Sequence, residues 1–195
     1  MKIYTRKGDD GTTGLLYGGR VAKSSAVIAA NGAVDEAQAA LGVARAEVER
    51  SSELDALLVR LERELYVAMA ELATAPANRG KLRPGRTLVT EAMITALEAD
   101  IDRITPRFPP LSDFVIPGHD RVSALLDVAR TAVRRAERLV GPAAADGSLV
   151  PAYLNRLSDL VWTLARWQEH GESLLSRRAA PPPAGHGSGA LPSPS

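Results

Sequence analysis

The sequence predicts an all-α protein: a five-helix bundle entered by a glycine-rich N-terminal arm. Three observations predict it. Residues 23–175 are rich in Ala, Leu, Glu and Arg, with apolar side chains recurring at helical spacing. Breakers cut this stretch into about five segments with short links. No segment shows the convincing two-residue alternation of a strand.

The first segment runs from near Ser24 to Arg50, with Ser24 or Ser25 as cap and a face of small side chains, Ala26, Ala30, Ala33, Ala37, Ala40 and Ala44. Small side chains let another helix approach closely. The second, from about Ser52 to Ala75, carries Leu54, Leu57, Leu58, Leu61, Leu65, Ala68 and Leu72 on one side. A loop punctuated by Pro76, Gly80, Pro84 and Gly85 follows. The third spans about Thr90 to Ile104, and Pro106, Pro109, Pro110 and Pro117 mark the next link. The fourth, from about Asp120 to Val140, stops at Gly141-Pro142. The fifth spans about Pro151 to Leu175, with Pro151 where a first-turn proline is tolerated. Residues 1–22 form a Gly/Thr/Lys/Arg-rich arm, residues 23–175 the bundle domain, and residues 176–195 a Pro/Gly/Ser tail that reads as disordered. Long helices with an alanine face suggest a homo-oligomer.

Composition narrows function by exclusion. The 195 residues suit one domain, and 24 basic against 23 acidic side chains argue against a partner recognised by bulk charge, so neither nucleic acid nor a membrane surface is expected. Cysteine is absent, which removes disulfides and thiolate metal sites. The N-terminus has no apolar signal region and no run is long enough for a membrane helix, so a cytoplasmic protein is expected.

Three segments could carry chemistry. Thr5-Arg6-Lys7-Gly8-Asp9-Asp10-Gly11-Thr12-Thr13-Gly14 combines turn-forming glycines, two cations and two hydroxyls, and Lys23 follows shortly after. Backbone N–H groups in such turns make anion nests suited to a polyphosphate. The same composition also fits a flexible polar arm. It is not a Walker loop. Second, Arg130, Arg134 and Arg138 form a stripe at four-residue spacing, with Arg135 at another angle and Glu137 beside them. Guanidinium forks match phosphate geometry. A solvated face laced with weak ion pairs would look the same. Third, Asn155 and Arg156 lie beside the leucines of the last helix, where Asn155 could meet a ligand or satisfy nearby backbone.

Taken in order, TRKGDDGTTG, Lys23, GAVDEAQAALG (residues 32–42), DFVIPG (113–118), ARTAVRRAER (129–138) and YLNRLSDLVWTLAR (153–166) resemble the PduO-type ATP:cob(I)alamin adenosyltransferases over nearly all of residues 3–168. The resemblance implies a homotrimer with active sites between subunits. Its reaction moves the 5′-deoxyadenosyl group of ATP to the cobalt of cob(I)alamin, giving adenosylcobalamin and triphosphate. Thr5, Arg6, Lys7, Gly8, Thr13 and Lys23 would wrap the triphosphate. Arg134, Arg135, Glu137 and Arg138 would meet the nucleotide from the neighbouring subunit, with Asn155 close by. Arg130 would pair with Asp35 across the interface, and Phe114 would stand over the corrin where the lower axial base is expelled. Mg²⁺ would accompany ATP, with no side chain assigned as a metal ligand. A cobalt reductase and an adenosylcobalamin-dependent mutase are conceivable partners.

The chain departs from the family pattern in places. His119-Asp120 follows Gly118 where relatives commonly have a second glycine, Ala37-Gln38 stands for Leu-Asn, and Trp162 and Trp167 read as packing. A ferritin-like di-metal bundle would need Glu-x-x-His pairs, and none of His119, His170 and His186 has one. A corrinoid chaperone and a phosphotransferase using Asp9 and Asp10 remain as rivals.

Overall fold

The computed structural model describes Tyr4 and residues 6–177. Thr5 and residues 178–195, most of the expected tail, lie outside the described residues. Five main helices follow one another: α1 (Ala26–Ala46), α2 (Glu53–Leu72), α3 (Glu91–Ile104), α4 (Arg121–Val140) and α5 (Val150–Gln168). Short 3-10 turns lie at Pro76–Lys81 and Thr105–Arg107. The arm adds something the periodicity did not suggest, a two-stranded antiparallel hairpin of β1 (Thr12–Gly14) and β2 (Arg20–Ala22). Three residues per strand are too few to display alternation.

Helix α1 packs on both α4 and α2, α4 on α5, and α5 on α3. The alanines explain the first of these contacts. Ala30, Ala33, Ala37 and Ala44 are buried on α1, interleaved with Val34 and Leu41, and face a partner stripe that includes Leu126, Ala129, Val133 and Ala136. Ala26 is exposed at the helix start and Ala40 half-buried, so the apolar seam is narrower than the alanine count suggests. Leu58, Leu61 and Leu65 of α2 and Leu157, Leu160 and Leu164 of α5 complete the core.

The helix ends follow local chemistry. Ser52 caps α2 by accepting from Asp55 N at 3.1 Å. Asp120 and Ser123 form a reciprocal capping box at α4. Ser25 occupies the cap position of α1, yet its side chain makes no capping bond. The buried Glu71 ties the connections to α2: it accepts from Arg79 Nη2 (3.0 Å), Ser148 Oγ (2.7 Å) and Val89 N (2.9 Å).

The end of α5 differs from expectation. The helix stops at Gln168, not near Leu175, because His170 and Gly171 take left-handed backbone angles (φ 51° and 87°). A Cβ on Gly171 would lie 3.0 Å from Pro109 Cδ, and with the left-handed φ this crossing favours glycine. The chain then runs extended alongside residues 113–116.

Candidate active site

The arm is an ordered turn. Asp10 accepts from Thr12 N (2.9 Å) and Thr12 Oγ1 (2.7 Å), and these bonds, with Arg20 nearby, hold its carboxyl below the ordinary 3.8. Arg20 reaches Thr12 Oγ1 and the Lys7 carbonyl. Asp10 is therefore committed to the turn. Gly8 lies against Lys23: a Cβ there would meet Lys23 Nζ at 3.2 Å and the Thr12 carbonyl oxygen at 3.1 Å. The fold thus brings Gly8 and Lys23 side by side, with Lys23 N bonded to Gly11 O at 2.9 Å. Arg6 also takes a left-handed angle (φ 59°), and its guanidinium lies over Tyr4.

The arm leans on the C-terminal end of α2 and the turn beyond it. Leu16 N donates to Ala73 O (2.8 Å), and Asn78 Nδ2 donates to the Tyr17 carbonyl (3.3 Å). Between arm, α1 and α2 opens a groove of about 550 Å³ lined by Thr13, Asn31, Asp35, Tyr66 and Met69. Asp35 and Tyr66 are exposed there.

Helix α4 carries the arginines on separate faces. Arg135 pairs with Glu36 of α1, which raises the guanidinium and lowers the carboxyl from their ordinary values. Arg134 and Arg138 are exposed, with Arg138 Nη1 donating to the Arg134 carbonyl at 3.1 Å. Glu137 Oε1 accepts from Asn155 Nδ2 at 2.9 Å, so these two site residues meet across α4 and α5. Arg130 turns inward to Asp127, 2.9 Å away.

A second cavity, of about 600 Å³, lies beside Arg130 and is also lined by Asp113, Phe114, Trp162 and Arg166. Phe114 is 83% exposed, an uncommon setting for a phenylalanine and one that suits an apolar partner. Its loop is braced from behind. Phe114 N donates to Asp113 Oδ1 (2.7 Å), Ser176 N to Phe114 O (2.7 Å) and Ile116 N to Leu174 O (2.8 Å). Arg177 lies 3.3 Å from Asp113. Ser176 and Arg177, assigned to the tail by composition, are thus hydrogen-bonded or ion-paired to the loop. His119 sits 3.5 Å from Glu172 in the same neighbourhood.

Trp162 packs as expected, but on one side only. It is 37% exposed, packs edge-on to Phe108 and lines the Phe114 cavity. Trp167 does pack against the core, with Arg107 over its ring. Asp127, Arg166 and the 174–177 segment are not singled out by the sequence. Asp127 carried one visible signal, its place three residues before Arg130; its partner lies on another helix.

Residues 3–168 match the family model for cobalamin adenosyltransferase. The chain belongs to the cobalamin adenosyltransferase family. The corrinoid adenosyltransferase of Mycobacterium tuberculosis (strain ATCC 25618 / H37Rv) is 44% identical over 171 residues, 85% of this chain and 87% of that one. That of Mycobacterium leprae is 40% identical, over 90% and 95% of the two chains. The fold is similar to a phenylalanine-to-histidine variant of the PduO-type ATP:corrinoid adenosyltransferase from Lactobacillus reuteri complexed with cobalamin and ATP, with TM-score 0.80, 30% identity, and coverage of 90% of this chain and 97% of that one. As a cobalamin adenosyltransferase, the protein transfers an adenosyl group from ATP to cob(I)alamin. No described helix is long and apolar enough to cross a membrane.

Proposed function

We propose that the protein works in the cytoplasm as a homotrimer, with ATP gripped between the arm of one subunit and α4 of its neighbour. Lys7, Gly8, Thr13 and Lys23, with Thr5 and Arg6, take the triphosphate. Arg134, Arg135, Glu137 and Arg138 meet the nucleotide from the other side, and Asn155 orients Glu137. Arg130 reaches Asp35 of the next subunit. The corrin lies over Phe114.

The observation that carries this reading is the shared cavity of Phe114 and Arg130. An apolar ring suited to a corrin face and a partly exposed cation come from different segments and line one cavity. The Gly8–Lys23 contact and the exposed Asp35 on the arm's side of α1 support the second half of the site.

The residues fit the chemistry. Cobalt(I) is the nucleophile, so the corrinoid supplies the difficult step. It attacks C5′ of ATP, a cobalt–carbon bond forms, and the C5′–oxygen bond breaks with its electron pair leaving on triphosphate. The protein aligns cobalt with C5′. Its arginines, lysine and backbone N–H groups stabilise the charge growing on the leaving oxygens. No side chain need act as nucleophile or general base. Mg²⁺ would arrive on the triphosphate.

The test mixes protein, ATP, Mg²⁺ and chemically reduced cobalamin and follows the absorbance change of cobalt–carbon bond formation. Adenosylcobalamin with intact triphosphate is the expected outcome. ADP or free phosphate would indicate a phosphotransferase, and corrinoid binding without turnover a chaperone.

A further inference from the structure

Arg130 is held by a buried charge that the reaction scheme above does not use. Asp127, one turn earlier on α4, is 4% exposed. Its Oδ1 accepts from Arg130 Nε at 2.9 Å and its Oδ2 from Arg166 Nη2 at 2.6 Å. Arg166, on α5, is 1% exposed; its Nη2 also lies 2.8 Å from Glu169 Oε1, and Glu169 takes the Ser173 hydroxyl. Two cations and two carboxylates thus form one chain of contacts running from the Phe114 cavity to the end of α5.

A buried carboxylate persists only where partners replace its lost hydration. The cluster does not fully satisfy itself. Arg166 Nε is buried without a hydrogen-bond partner among the described residues, and Glu169 Oε1, though close to Arg166, lacks hydrogen-bond alignment. Arg166 instead directs Nη2 to Asp127, whose other oxygen is spent on Arg130. The atom gripped matters as well. Asp127 takes Nε, which leaves the two terminal nitrogens of Arg130 for a second acceptor, the edge that suits a carboxylate bidentately. Asp127, Arg130 and Arg166 all line the Phe114 cavity.

We propose that Asp127, anchored by Arg166, is a positioning residue for adenosyl transfer: it fixes Arg130 from within its own protomer, before a neighbouring carboxylate or substrate engages it. The inference rests on the assignment of Arg130 to the active site. Without Asp127, Arg130 must be ordered at the interface by outside partners alone.

A double-mutant cycle in the intact oligomer tests this. Asp127→Asn should lower kcat by about tenfold and leave KM for ATP little changed. In an Arg130→Ala background it should cause no further loss, because its effect passes through Arg130. Thermal unfolding of the same variants separates fold from positioning, and Asp127→Glu should recover part of the lost kcat. Unimpaired Asp127→Asn turnover overturns the inference while leaving Arg130's role intact, provided Arg130→Ala is impaired. Equal loss in both backgrounds also overturns it, by making Asp127 a fold residue. Full activity of Arg130→Ala alone would remove the assignment of Arg130 and this inference together.

Discussion

Side chains divide here by what they are already committed to. Asp10 and Arg20 are consumed in holding the arm's turn, whereas Gly8 and Lys23 lie side by side and are proposed to take the triphosphate. Arg134 is exposed on α4, with no carboxylate partner among the described residues. Arg134→Ala should lower kcat/KM for ATP by about a hundredfold or more if it stabilises the leaving triphosphate; steady-state kinetics at varied ATP would check this, and an unchanged value would remove it from the site. Phe114 is proposed to act at an earlier step. By excluding the lower axial base its ring would make cobalt(II) easier to reduce, so Phe114→Ala should slow cobalt(II) reduction more than transfer to preformed cob(I)alamin. Comparable losses in the two assays would contradict that role. Sequence offers these residues as candidates because motifs preserve residue type and order. It could not show that Trp162 lines a cavity or that Asp127 meets Arg166, since a tryptophan at helical spacing looks the same facing core or cavity, and Arg166 is distant in the chain.

Helices and their termini were the most legible features, since period and capping are local. The expected start of α4 at Asp120 and its stop at Gly141-Pro142 match a capping box and a helix ending at Val140. Asp120→Ala should cost about 1 kcal/mol, read as a lowered Tm with the fold retained. Helix α2 depends on charge. Asp55 is held below the ordinary 3.8, first by the Ser51 N–H and then by Arg45. Its folded value lies under its unfolded one, so its contribution to stability is complete above 3.8 and is lost as pH falls through the depressed folded value. Asp55→Asn should therefore unfold at lower temperature than the native protein at neutral pH, with the difference shrinking in melts below the ordinary carboxylate range. A constant difference across that range would contradict the assignment. The β1–β2 hairpin and the end of α5 were illegible for a common reason. Both depend on where the chain lands: the hairpin on Arg20 reaching back to Thr12, and the helix stop on Gly171 crossing Pro109.

At the scale of the molecule, the two halves of the proposed site face different sides of α1. Asp35 opens on the arm's groove while the adjacent Glu36 takes Arg135 of α4. One subunit thus presents an arm half and a helix half, and a ring of subunits would bring unlike halves together. Sedimentation should give a trimer. The decisive measurement is complementation between two damaged subunits. Lys23→Ala and Arg134→Ala, each strongly impaired alone, should on equal co-expression regain about a quarter of native transferase activity, because random assembly of a cyclic trimer restores that share of intact sites. Recovery no greater than the sum of the two variants would contradict an ATP site shared between neighbours.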